Sequence, residues 1–206
     1  MNKNQLTNFI TKYTLGGEIK STKWTSNGDS LSTRFISGDK SVVGKVVLSK
    51  FSHLSPCELG VYNTGQLSSL LSVLGDDIDI NLSQSGDKFI SMEFEDTKRK
   101  TKSKYMLSDL SVIPTPPALK NLPDSFELGI KVDPYFINTF TSGKSALAEA
   151  ETFTILTENG ETKIVIGYAS IASNRVTIPV ETTKNAEIEP ISFNANMFAS
   201  ILNANK

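Results

Sequence analysis

The stretch Gly60-Val61-Tyr62-Asn63-Thr64-Gly65-Gln66-Leu67-Ser68-Ser69-Leu70-Leu71-Ser72-Val73-Leu74 holds the pattern from which the rest of the chain can be read. Val61-Tyr62 is strand-like, Asn63 is a residue suited to cap a helix, and Leu67, Leu70, Leu71 and Leu74 then fall on one helical face. The same order recurs. Ile130-Lys131-Val132 leads to Asp133, and Ile191-Ser192-Phe193 leads to Asn194, each ahead of a short amphipathic segment. Asn2 opens a fourth. Counted from the cap, apolar residues stand at the fourth and seventh positions each time: Leu6/Phe9, Leu67/Leu70, Ile137/Phe140 and Phe198/Ile201. The spacing predicts helices over Gln5–Tyr13, Gly65–Leu74, Pro134–Phe140 and Ala195–Leu202, with Pro134 at the first helical position, where its missing N–H is harmless. Repetition of strand, cap and helix points to a repeated fold unit.

Most of the remaining chain reads as β. Phe35–Ser37, Val42–Leu48, Phe89–Phe94, Phe153–Leu156, Lys163–Tyr168 and Val176–Val180 are short runs rich in Val, Ile and Phe. Turn signals separate them: Ser26-Asn27-Gly28-Asp29, Ser37-Gly38-Asp39, Ser85-Gly86-Asp87 and Glu158-Asn159-Gly160-Glu161. The expected class is α+β, in two similar domains of antiparallel sheets with two short helices each. Residues 108–123 hold four of the eight prolines and form the expected connector, between a first domain of residues 1–107 and a second of residues 124–206.

The chain has 206 residues, with 21 Lys+Arg against 22 Asp+Glu, a net charge of −1. With 38% hydrophobic residues it has the apolar mass of a globular protein that needs no staples. One cysteine (Cys57) excludes an intramolecular disulfide, and one histidine (His53) excludes a cluster of histidine ligands. Neither a signal-peptide core near the start nor an apolar run long enough to span a membrane is present, so a cytoplasmic protein is expected.

Catalytic patterns are missing. Ser142-Gly143-Lys144-Ser145 resembles the end of a phosphate-binding loop, but that loop requires glycine where Asn138 stands, and Gly143 reads better as a helix C-cap. His53 and Cys57 lack a third orienting group. Asp76-Asp77, near Asp79, reads as an acidic turn. No cofactor, no metal and no enzymatic activity are expected. Charge layout is more informative. Acidic residues dominate from Asp76 to Asp96, and then Lys98, Arg99, Lys100, Lys102 and Lys104 reverse the sign. Alternating lysines over Thr97–Tyr105 predict one face of a strand, either a solvated edge or one that meets a partner or phosphates. The four helical segments carry no acid, only sparse lysines among Ser, Thr, Asn and Gln, which suits a surface that meets a polyanion without gripping it.

The chain resembles the DNA sliding clamps of T-even-type bacteriophages and their marine relatives, the processivity factors of replicative polymerases. Leu6–Tyr13, Gly60–Ile80, Phe126–Phe140 and Ile191–Asn205 carry the likeness, which extends over nearly the whole chain. It implies a homotrimeric ring around double-stranded DNA, with helices lining the hole and sheets outside. The ring has no active site, is opened by a clamp loader and tethers the replicative DNA polymerase in the cytoplasm of the infected bacterial host. Carried over by position, Lys3, Lys12, Lys144 and Lys206 would face DNA. Lys102–Leu107 would pair with Asn174–Val180 of a neighbour, so Lys102, Lys104 and Met106 would meet Arg175, Thr177 and Pro179. Leu110, Val112 and Ile113 would supply a pocket for partner peptides. Family members continue past the fourth helix with further strands, so the second domain is expected to be incomplete at its C-terminus. The competing reading is a non-enzymatic β-rich phage structural or interaction protein. A single-strand binder ranks last, because only Tyr105 stands beside the basic run and Trp24 is apart from it.

Overall fold

The computed structural model describes residues 1–118, 124–169 and 173–206. The chain is α+β, with antiparallel sheets and four α-helices among these residues, and it divides into two compact units, Met1–Leu119 and Lys120–Lys206. The division falls within the proline-rich stretch, of which 119–123 lie outside the described residues.

In the first unit α1 (Lys3–Thr14) is followed by β1 (Thr22–Ser26), β2 (Ser30–Ile36), β3 (Val43–Ser49) and β4 (Cys57–Val61). Next come α2 (Thr64–Ser72), β5 (Ile78–Ser85), β6 (Lys88–Asp96) and β7 (Lys102–Met106). One sheet has the order β3-β2-β1-β4 and the other β5-β6-β7. Polar–apolar alternation decides the faces. In β2, Leu31, Thr33 and Phe35 are buried while their neighbours are half-exposed. Asn27 accepts from the N–H groups of Asp29 (2.9 Å) and Ser30 (2.8 Å), and Gly28 takes φ +95°, which closes the β1–β2 turn.

In the core of this unit, α1 lies on the sheet through Leu6, Phe9, Ile10 and Tyr13. Trp24 is fully buried and meets Phe9 edge to face at 5.5 Å. Its indole N–H donates to the Tyr13 hydroxyl (3.2 Å), which donates to Thr64 Oγ1 at the start of α2 (3.3 Å). Burial pushes the Tyr13 hydroxyl well above the usual tyrosine range, so it stays a neutral donor. A short chain of bonds thus links helix, sheet and second helix across the apolar interior.

The second unit has β8 (Gly129–Ile130), α3 (Pro134–Ala146), β9 (Thr152–Glu158), β10 (Glu161–Ile166) and β11 (Val176–Pro179), then β12 (Thr182–Lys184), β13 (Ile191–Asn194) and α4 (Ala195–Asn203). Its main sheet has the order β11-β10-β9-β13, and β8 pairs with β12. Both four-stranded sheets therefore follow one plan. A helix leads into a three-stranded meander, and a fourth strand then pairs with the first of the three and runs directly into a second helix. Around Phe140, the rings of Phe136, Phe153 and Phe198 pack at 4.9 to 6.1 Å, and Ile137, Leu147, Ile164, Ile166 and Ile178 complete this core.

All four caps form as the sequence predicts. Asn2 accepts from Asn4 N–H, Asn63 from Gln66, Asp133 from Phe136 and Asn194 from Met197, at 2.8 to 3.0 Å. Two expectations are corrected. The lysine-rich strand begins at Lys102 rather than Thr97, because the Asp96 carboxylate accepts from the N–H groups of Lys98 and Arg99 (2.8 Å each) and folds 97–100 into a turn. Gly143 is not a C-cap. The third helix runs past it to Ala146, and a Cβ there would stand 3.0 Å from Val176 and 3.3 Å from Ile166, so glycine permits close approach of helix to sheet.

Replacing Asn63 by Ala removes the cap bond to Gln66 and should cost about 1 kcal/mol in urea denaturation, whereas Asn63→Asp should retain most of it. Equal losses for Ala and Asp would show that the side-chain oxygen is not what holds the start of α2.

Candidate functional site

The helix faces were expected to carry the functional charge, and their composition holds: α1, α2, α3 and α4 contain no Asp or Glu. Their exposed positions include the neutral polar residues Asn4, Gln5, Asn8 and Thr11 in α1, Gln66, Ser69 and Ser72 in α2, and Asn138, Ser142, Ser145, Asn196 and Asn203 in the second unit, beside Lys12 and the 77% exposed Tyr135. The neutral polar side chains donate hydrogen bonds without a fixed charge.

Two of the four lysines expected on that surface are engaged elsewhere. The Lys3 ammonium donates to the Leu74 carbonyl beyond the end of α2 and ties the two helices together. Lys144 is buried, and its Nζ donates to the carbonyls of Ala148 (2.8 Å) and Leu147 (3.4 Å) just past its own helix. Both follow one rule: carbonyls at a helix C-terminus are unpaired and partly negative, so a nearby lysine is drawn to them. Lys12, in the last turn of α1, and Lys206 are exposed.

The expected subunit-contact residues lie on sheet edges. β7 is the outer strand of β5-β6-β7, with Lys102, Lys104 and Met106 exposed and Ser103 and Tyr105 buried. The lysines lie back over their own sheet: Lys104 reaches Glu93 at 2.8 Å and Lys102 reaches Glu95 at 3.1 Å. Those contacts hold both carboxyls below the usual glutamate range. β11 is the outer strand of its sheet, with Thr177 and Pro179 exposed and Arg175 exposed just before it.

The connector residues divide. Val112 is exposed and Leu110 half-buried, whereas Ile113 is buried and therefore not open to a partner. Ser108 N–H donates to the Gly60 carbonyl (2.9 Å), and Ile113 packs where a Cβ on Gly60 would meet it. Arg34 donates to the carbonyls of Pro116 (3.3 Å) and Pro117, and Lys23 to Thr115 (3.1 Å). Residues 108–117 are thus laid along the first unit rather than held away from it as a spacer.

One feature was not legible in the sequence. A groove of about 430 Å³ opens between the start of β6 and the segment after β7, with Phe89, Ile90, Leu107 and Leu110 on its apolar side and Glu58 and Asp87 at its rim. Lys88 and Asp109 pair across it at 2.5 Å, and with Ser111 this contact holds the Asp109 carboxyl far below the ordinary range. Only the apolar character of Leu110 hinted at it.

The remaining sequence candidates resolve simply. The Cys57 thiol is pushed up by burial, the reverse of what a nucleophile needs, and His53 packs against Phe51. Asp77 pairs with Lys98 at 3.1 Å. Among the described residues no three His, Cys, Asp or Glu side chains converge as metal ligands, and no helix is long and apolar enough to cross a membrane. Comparison with protein-family models and with curated proteins gives no match, so the functional reading rests on the residues themselves.

The two kinds of lysine should separate on mutation. Lys144→Met removes the ammonium from the Ala148 carbonyl, while the Leu147 carbonyl keeps the Ala150 N–H (3.0 Å), and should destabilise the second unit by about 1–2 kcal/mol. Lys12→Met, at an exposed position, should stay within about 0.5 kcal/mol of the parent. Equal midpoints in chemical denaturation would overturn the assignment of Lys144 as a capping residue.

Proposed function

We propose that this chain is a subunit of a DNA sliding clamp, which encircles duplex DNA and tethers a replicative polymerase to it. The observation that carries the reading is the repeat: two units share one sheet order, and in each unit both helices of the repeated plan are free of acid. Proteins that grip DNA cover it with Lys and Arg and release many counterions, so their binding is strong and steeply salt-dependent. A ring that moves along the duplex needs the opposite, a surface with no repulsive carboxylates and few fixed cations.

In this reading the amide and hydroxyl side chains of the helices face the phosphates, with Lys12 and Lys206 as the mobile charges. Contacts of that kind carry no sequence information, which suits a protein that must pass every base pair. Three copies form the ring through β7 of one and β11 of the next. The clamp loader and polymerase dock on the outer side, where the groove beside Leu110 offers an apolar socket with an acidic rim. The chemistry of ring opening belongs to the loader.

Two measurements test this together. Light scattering over a concentration series should approach three times the 22.5 kDa chain mass. After loading with a cognate loader, the protein should stay with nicked circular DNA through gel filtration and be lost when that DNA is cut once, because linear DNA lets a ring slide off. Equal retention on circular and linear DNA would sink the proposal, as would persistence of a monomer at every concentration.

A further inference from the structure

We infer that Asn159 is a site of spontaneous covalent modification: its side-chain amide is lost through a cyclic imide formed with the Gly160 nitrogen. The identical pair Asn27-Gly28 is held unreactive by its turn. Asparagine before glycine is where this reaction is least hindered, because glycine puts no side chain beside the attacking nitrogen. The chain has two such pairs, and each closes a hairpin. The local fold decides between them.

At Asn27 both reacting groups are engaged. The side-chain oxygen accepts from the N–H groups of Asp29 (2.9 Å) and Ser30 (2.8 Å) and from the Ser30 hydroxyl (3.1 Å), which fixes the amide. The Gly28 N–H, which would have to attack, donates to Ser26 Oγ (3.2 Å). At the other tip, among the described residues, neither the Asn159 side chain nor the Gly160 N–H has a hydrogen-bond partner. A Cβ on Gly160 would meet nothing within 4 Å, so ring closure and the entry of water meet no obstacle. Backbone geometry agrees. Asn159 and Gly160 have φ +53° and +79°, the type I′ turn of a two-residue loop between Glu158 and Glu161. Closing the ring needs rotation about the Asn159 Cα–C bond. A type II′ turn keeps φ positive at that residue and glycine accepts either sign at the next, so the tip can rotate while β9 and β10 stay paired.

The step balances without an oxidant or a cofactor. The Gly160 nitrogen bonds to Asn159 Cγ, the Cγ–Nδ2 bond breaks, and the Gly160 amide proton leaves with Nδ2 as ammonia. Water then opens the ring. Attack at Cγ gives aspartate, whereas attack at the main-chain carbonyl carbon gives isoaspartate, in which the backbone runs through Cβ and Cγ. Either product adds a negative charge between Glu158 and Glu161, which already share Lys163 at 3.5 and 3.8 Å. Isoaspartate also lengthens the loop that sets Glu158 opposite Glu161. The Gly160 carbonyl accepts from Asn185 Nδ2 (3.3 Å), so the change reaches the segment after β12.

Mass spectrometry of the full chain tests this after prolonged warm incubation in water enriched in heavy oxygen, which marks each hydrolysed imide. Trypsin then releases Ser145–Lys163 and Trp24–Arg34, each of which holds a single Asn. The first peptide should convert at least about tenfold faster than the second, since Asn27 must break its hydrogen bonds before it can react. Fragmentation should show both aspartate and isoaspartate at position 159. In concentrated guanidinium the two should convert at rates within about threefold of each other, because neither turn then exists. Equal rates in the native chain, or faster loss at Asn27, overturn the inference. So does a difference of about tenfold that persists in guanidinium, because neighbouring residues and not the fold would then set it.

Discussion

A strand that ends in a helix cap governs this molecule. β4 hydrogen-bonds along β1 and passes through Asn63 into α2 with only Tyr62 between strand and cap. β13 pairs with β9 and passes directly through Asn194 into α4. Because the strand is fixed in the sheet and the cap sets the direction of the helix start, the helix is aimed before its side chains pack. The Asn63 N–H donating to the Tyr105 hydroxyl (2.9 Å) also ties that junction to β7. Trp24, Tyr13 and Thr64 then join the two helices of the first unit to the sheet beneath them. Phe140 and its ring neighbours do the same work in the second by shape alone.

Helix termini also decide what the lysines do. Each helix ends in carbonyls without intrahelical partners. A lysine within reach is used there, as Lys3 is at Leu74 and Lys144 at Ala148. The mobile positive charge of the helix faces is therefore smaller than a residue count implies, and the exposed positions are dominated by neutral donors. On β7 a parallel effect operates, since Glu93 and Glu95 hold the strand's lysines against the sheet. In both places neighbouring groups, not residue type, determine whether a cation is available to a partner.

Much of the fold was legible because it rests on local chemistry. The caps, the apolar positions at four and seven, and the Asn-Gly turns act within a few residues of themselves, so the four helices and the Asn159-Gly160 hairpin between β9 and β10 could be read from the chain. β1 was missed: Thr22–Ser26 is largely polar and has strand character only because Trp24 and Thr22 are buried between β2 and β4. β5 was missed for a similar reason, with Asp79, Asn81 and Ser83 facing outward on a strand paired to β6. The start of β7 was misplaced because the turn made by Asp96 competes with strand pairing, and alternating lysines carry no information about that competition.

The candidate surfaces divide along the same line. Absence of acid from the helices is a property of the residues and survives folding unchanged. Exposure is not such a property: Lys144, Lys12 and Lys3 look alike in the sequence, yet one is buried, one is exposed and one is bound to a distant carbonyl. Ile113, Val112 and Leu110 form one apolar run, yet Gly60 takes the first into the core and leaves the other two beside solvent. The groove near Leu110 needs β4, β6 and the segment after β7 to converge from positions far apart in the chain. Local hydrogen bonding and hydrophobic period are written in adjacent residues, whereas burial, free edges and the company a charge keeps arise from contacts between residues that the sequence holds far apart.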